Sequence, residues 1–238
     1  MKLVATLTAT AAVLFIGAAP AHAFEDTLRT HGGFWNWHAY RTMRYDLEGW
    51  PFQKKSRGRE FHTVDLQTGK IRIDSDGGFP LYHLGFDGRS AWVSPSRDAI
   101  NALTRFYTLA PFRFIGMPFV LAQAGVSQEN LGERLVAGRK YEAYRFRFPP
   151  GTDSPSDDFI AYVDDDTRLL HLVTFEVNRR EFAVVFDEWQ GVDGLTVPRR
   201  LSFHEWADGR PGPARASFEV LNVAFDKAFA EPAAFARP

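Results

Sequence analysis

Six histidines lie beyond the first 23 residues: His31, His38, His62, His83, His171 and His204. They are the side chains best suited to acid–base or metal chemistry near neutral pH. None forms a close pair in the sequence, so a zinc site would need His62, His83 and His171, all on predicted strands, to converge in space. Isolated strand histidines more commonly serve as ordinary surface or core residues. Carboxylates gather at Asp153 to Asp158 and Asp164 to Asp166, but neither group has the ligand spacing of a calcium loop. Solvated acidic turns are the simpler reading. The chain has no Gly-x-Ser-x-Gly elbow, no His-Glu-x-x-His helix and no phosphate-cradling Gly-x-x-x-x-Gly-Lys. With cysteine absent as well, thiolate metal sites and cysteine nucleophiles are excluded. No catalytic residue, metal or cofactor is therefore expected.

What the sequence offers in quantity is aromatic surface. Phenylalanine occurs 22 times and aromatics make up 15% of the chain, while the formal net charge is only −1. That balance gives no electrostatic footprint for nucleic acid or an anionic membrane surface. The aromatics need a place to be buried, and the elements that enclose them decide what they do.

The first 23 residues read as a secretory leader. Lys2 supplies the positive start, Leu3 to Ala19 the apolar stretch, and Ala21-His22-Ala23 the small residues at −3 and −1 of a cleavage site between Ala23 and Phe24. No later stretch approaches the ~18 apolar residues of a membrane span. A mature domain over residues 24–238 in the periplasm is expected. It has no cleavage-site cysteine to carry a lipid and no disulfides, so a core must stabilise it.

Glu25 to His31 reads as a short helix stopped by Gly32-Gly33. Tyr40 to Leu47 then alternates, with Met43, Tyr45 and Leu47 on one face. Further strands are expected at 60–66, 70–74, 81–86 and 90–93, the last two joined by a type I′ turn at Asp87-Gly88. Ser96 is suited to cap a helix over Arg97 to Tyr107, and Pro111 and Pro118 bracket an apolar run reaching Leu121. Strands resume from Leu131 to Phe225. This gives a mainly β chain: one large curled antiparallel sheet of about eleven strands, a half-open barrel with a short N-terminal helix and a mid-chain helical lid over residues 97–124.

Such a sheet and lid either pack solid or enclose an apolar cavity. In the second case the liners are Met43, Tyr45 and Leu47, then Ile71, Ile73 and Trp92, and from the lid Phe106, Phe112, Met117, Phe119 and Leu121. Prolines and Gly116 in the lid favour a bent, movable segment.

The order of elements resembles the half-open barrel of the LolA/LolB/LppX lipoprotein-carrier superfamily. Three short motifs are also similar to the uncharacterised exported DUF6503-type proteins. They are His31-Gly32-Gly33, Phe106-Tyr107-Thr108-Leu109-Ala110-Pro111-Phe112, and Phe186-Asp187-Glu188-Trp189 with Gly194-Leu195-Thr196-Val197-Pro198. The resemblance implies a soluble periplasmic carrier for a lipid, a lipoprotein acyl chain or another hydrophobic ligand. It also implies an early-strand arginine that helps hold the lid shut, a role open to Arg41 or Arg44. Two alternatives stand beside it: an exported hydrolase whose acids and histidines meet at the cavity mouth, and a solid-cored scaffold making transient contacts with other envelope proteins.

Overall fold

The structure, a computed structural model, describes residues 23–52, 58–76, 81–150 and 156–237. The leader up to residue 22 and the loop holding Asp153 lie outside the described residues. Two helices, α1 (Ala23–Thr30) and α2 (Phe34–Ala39), precede five strands: β1 (Thr42–Glu48), β2 (Arg59–Asp65), β3 (Ile71–Ser75), β4 (His83–Phe86) and β5 (Ala91–Ser94). Helix α3 (Thr104–Ile115) follows. Seven more strands follow among the described residues: β6 (Ser127–Val136), β7 (Arg139–Arg147), β8 (Asp158–Asp164), β9 (Leu170–Val177), β10 (Arg180–Val192), β11 (Leu195–Ala207) and β12 (Arg210–Asp226).

The twelve strands of the described residues form one antiparallel sheet in the order β5-β4-β3-β2-β1-β12-β11-β10-β9-β8-β7-β6. Every ladder joins neighbours in sequence except β1 with β12. The chain therefore starts mid-sheet, runs out to one edge at β5, crosses to the other edge at β6, and returns. The crossing has to pass over the open side of the curled sheet, which is why α3 lies there. The meander needs tight turns, and four of them place two consecutive residues at positive φ: Ala137-Gly138, Asn178-Arg179, Asp193-Gly194 and Asp208-Gly209. This is the type I′ geometry whose twist matches that of the strands.

Four details differ from the expectation. Twelve strands form, with β6 beginning at Ser127 instead of Leu131, because an exposed edge strand carries no apolar alternation to announce it. Asp87-Gly88 does not make a two-residue turn; the Asp87 carboxylate accepts from the Arg89 and Ser90 amides and closes a four-residue loop. Ser96 caps only a short 3-10 turn over Arg97–Ala99, and the helix starts at Thr104. Pro111 sits inside that helix, not at its boundary.

Alternate residues of the strands face the concave side. Met43, Tyr45 and Leu47 from β1, Ile71 and Ile73 from β3, and Phe218 and Val220 from β12 are all at most 1% exposed. Most of α3 is buried too, from Tyr107 to Phe112 and again at Phe114 and Ile115. A helix apolar on nearly every side belongs inside a core. It is a plug seated in the barrel more than a flap laid across it.

Candidate functional site

The interior beneath α3 is where the predicted liners meet. Met43, Tyr45, Leu47, Ile71, Ile73, Phe112, Met117, Phe119 and Leu121 are all buried in one apolar cluster, and Phe106 packs on its margin. Trp92 is not among them. Its strand partner is Gly85, which pairs in turn with Arg72, so all three share the convex face. There the Trp92 indole fills the space left by Gly85 and lies 5.1 Å from the Arg72 guanidinium. Neither predicted clamp reaches the lid. Arg41 lies over the Phe229 ring at 5.3 Å, and Arg44 is exposed on the convex face, 3.9 Å from Asp226. The arginine that does join the helical segment to the sheet is Arg105. Its guanidinium donates to the Arg89 carbonyl at 2.7 Å and stacks over Phe86, tying α3 to the β4–β5 hairpin.

The N-terminal helices seal one end. His31 is fully buried, its Nε2 accepting from the Leu170 amide at 3.2 Å. Nδ1 must then carry the proton, which it donates to the Thr196 carbonyl at 3.0 Å. With both nitrogens committed, burial holds the imidazole's pKa down at about 4 against a partial lift from the Thr196 bond. Gly32 presses on the β10–β11 turn so closely that a Cβ there would stand 2.2 Å from the Gly194 carbonyl oxygen. Asn36 and Tyr40 add hydrogen bonds to the Gly194 and Asp193 carbonyls. Trp37 from α2 stacks on Phe119 at 4.6 Å, joining this cap to the lid segment.

Sequence reading missed a polar cluster inside the apolar interior. The β1–β2 register sets Tyr45 opposite His62 and Leu47 opposite Glu60, so Glu60 and His62 point inward and Phe61 outward. The hydrophobic pattern of the strand is inverted: Glu60 is 0% exposed and Phe61 40%. A buried carboxylate costs many kcal/mol unless it is satisfied. Here Oε1 accepts from Tyr82 at 2.5 Å and from Tyr107 of the lid, and Oε2 accepts from His62 Nε2 at 3.1 Å. Burial alone would raise the Glu60 pKa, but the hydrogen bond and charge of His62, with the two phenol donors, outweigh it and hold the group below its ordinary value. The same burial, then the Glu60 charge, push the Tyr107 and Tyr45 phenols up, so both stay protonated. The His62 ring stacks on Tyr45 with centroids 4.6 Å apart. The only sequence signal was the i, i+2 spacing of Glu60 and His62 on a strand.

The other histidines do not join His62. His83 pairs with Asp74 at 2.5 Å on the convex face, and His171 stacks on Tyr141 there. Of the acidic turns, Asp164 is occupied by the Thr167 amide and hydroxyl and by Arg139, while Asp158 faces Arg145 and Arg147. A surface cleft of about 450 Å3 runs along α1 and α2 and is lined by Phe24, Leu28, Phe34 and Trp35 among others.

No protein-family model matches the chain, and no curated protein matches it in sequence. The narrower DUF6503-type resemblance therefore rests on its short motifs alone. Solved structures do match. A DUF1329-family protein from Desulfovibrio piger superposes with a TM-score of 0.57 at 12% identity, over 91% of this chain and 97% of that one. A LolA-superfamily protein from Nitrosomonas europaea superposes with a TM-score of 0.53 at 11% identity, over 89% and 96%. Identities this low speak to architecture alone: the chain has the LolA-like fold.

Proposed function

We propose that the protein is a periplasmic carrier or binding protein for a lipid, a lipoprotein acyl chain or another hydrophobic molecule, released as a domain starting at Phe24. The observation that carries this reading is the apolar interior between the curled sheet and α3, built on a LolA-like fold. Acyl methylenes placed there would contribute roughly 0.8 kcal/mol each. The ligand enters by displacing the plug, which Tyr107 and Arg105 hold at two points. Among the described residues no helix is long and apolar enough to cross a membrane. Native mass spectrometry of protein purified from the periplasm tests the reading. Bound lipid is the expected result; empty protein that also fails to bind a fluorescent fatty-acid probe ends the proposal. N-terminal sequencing should give Phe24 first.

A hydrolase on the same sheet has one observation in its favour, the Glu60–His62 contact at 3.1 Å. In that reading the pair is an acid–base couple that opens when the plug moves. It requires turnover of a chromogenic ester that Glu60→Gln abolishes; an inactive wild-type protein rejects it.

A further inference from the structure

The sheet ends at β6, and among the described residues no strand pairs with its outer side. Of its ten residues only Val136 is buried. Such an edge offers a row of unpaired N–H and C=O groups to another strand. The ladder with β7 fixes which way each side chain faces. Gln128 and Asn130 stand opposite Phe146 and Tyr144 of the main core, so they face the concave side, as do Glu133 and Leu135 further along. Glu129, Gly132, Arg134 and Val136 stand opposite Arg145, Ala143, Tyr141 and Arg139 on the convex side. Leu131 joins them there, packed against the cluster that holds Tyr141 and Ala143. It is the extra residue of a bulge between Asn130 and Gly132. Gly132 at φ +71° and its amide, which donates to the Asn130 side chain at 2.6 Å, hold that bulge in place. Glu129 and Arg134 are an odd number of positions apart, and they share a face only because of it.

A bulge spoils an edge for a straight strand, because faces that match on one side of it are opposed on the other. A strand bulged at the same place has no such conflict. Laid antiparallel to a second copy of itself, with a two-fold axis between Leu131 and Gly132, β6 matches concave to concave and convex to convex at all ten positions. Every other register that spans the strand sets opposite faces against each other. In the matching register Glu129 meets Arg134 of the other copy, and symmetry repeats the pair. Both side chains are exposed, and Glu129 has only a surface pairing with Arg147 at 3.4 Å in its own chain. Leu131 meets Gly132, Asn130 meets Glu133, Ser127 meets Val136, and no like charges are directly opposed. Leu135, 65% exposed, comes opposite Gln128, which lines the cleft along α1 and α2 beside the 85%-exposed Trp35. We infer that β6 is a self-association surface through which two copies of this chain pair edge to edge in a two-fold dimer. The two sheets then run on as one. The inference stands apart from the carrier reading and does not need it.

Sedimentation velocity over a wide range of protein concentration tests it. Wild type should pass from monomer to dimer as concentration rises. Glu129→Arg and Arg134→Glu each oppose like charges at both symmetric pairs, so each alone should weaken the dimer roughly tenfold or more. Mixing the two variants restores opposite charges at both pairs, so a heterodimer should form with affinity close to that of wild type. Circular dichroism checks that these surface variants stay folded. The chain has no cysteine, which allows a second readout. Glu129→Cys mixed with Arg134→Cys should give the mixed disulfide in preference to either homodimer. A wild type that stays monomeric throughout, or a dimer that neither charge reversal weakens, overturns the inference. A mixture that associates no better than its components, or no preference for the mixed disulfide, overturns the register on which it rests.

Discussion

The imidazole of His31 accepts a hydrogen bond from the amide of Leu170, 139 residues further along the chain. Through that ring the first helix is fixed to β9 and β11 at once, because Nδ1 reaches Thr196. The neutral form is the only one that fits, since a proton on Nε2 would face the Leu170 N–H. With a folded pKa of about 4 and an ordinary value of 6.5, the stability gained is fully present above pH 6.5. It is lost progressively as pH falls from there to 4, where the folded imidazole itself titrates, for a total of about 3 kcal/mol. Urea unfolding of wild type and His31→Gln across this range checks it. The gap between the two should narrow toward pH 4; a constant gap would mean that the charge plays no part.

Gly32 and Gly33 both sit at positive φ, yet only Gly32 is hemmed in. Gly32→Ala drives a methyl into the Gly194 carbonyl, so either the helix or the β10–β11 turn must move, at a cost of about 3 kcal/mol or more. Gly33→Ala meets open space and pays only for backbone conformation, about 1–3 kcal/mol, a strain that Gly32→Ala bears in addition to its clash. Chemical denaturation of the two variants should separate them clearly.

These contacts explain what the short motifs encode. His31-Gly32-Gly33 docks on Gly194-Leu195-Thr196, two of the quoted stretches meeting each other. Around Phe186-Asp187-Glu188-Trp189 the ladder slips, and the irregularity puts Phe186 and Trp189 on one face, stacked 5.1 Å apart. Phe106 to Phe112 forms the plug. All three are fold determinants, which is why they were readable as a likeness and silent about chemistry. The meander was legible because alternation and turn residues act locally. Glu60 and His62 were illegible because their burial depends on a register shared with Tyr45 and on Tyr107 from a helix 47 residues away. Trp92 was misplaced for a related reason: on a short edge strand its size suggests burial, but pairing with Gly85 puts it outside.

Tyr107 is the lid's hydrogen bond to the barrel floor. Tyr107→Phe removes a donor from a buried carboxylate and should cost about 1–3 kcal/mol. Hydrogen exchange localises the effect: amides of 104–115 should lose protection while those of β10 and β11 keep theirs. A uniform loss would place Tyr107 in the general core and not in a latch.

Arg105 is the second tie. Arg105→Ala should speed amide exchange in α3 several-fold by releasing the Arg89 carbonyl and the Phe86 ring, whereas Arg44→Ala, remote from the plug, should not. If Arg44→Ala is the variant that loosens α3, the convex-face placement of that side chain is wrong.

Gly85 and Trp92 offer a test of the sheet's facing. A Cβ on Gly85 would lie 2.4 Å from the Trp92 ring, so Gly85→Ala has to expel the indole from its seat under Arg72. Trp92→Ala alone loses that packing. Once the indole is gone, however, the added methyl at residue 85 has space, so the double variant should be less destabilised than the sum of the singles, by about 1–2 kcal/mol. Ligand affinity should stay at the wild-type value in all three, because the pair occupies the convex face and the apolar interior lies on the other. Additive losses would show that the two residues do not touch, and a drop in affinity would return Trp92 to the cavity wall.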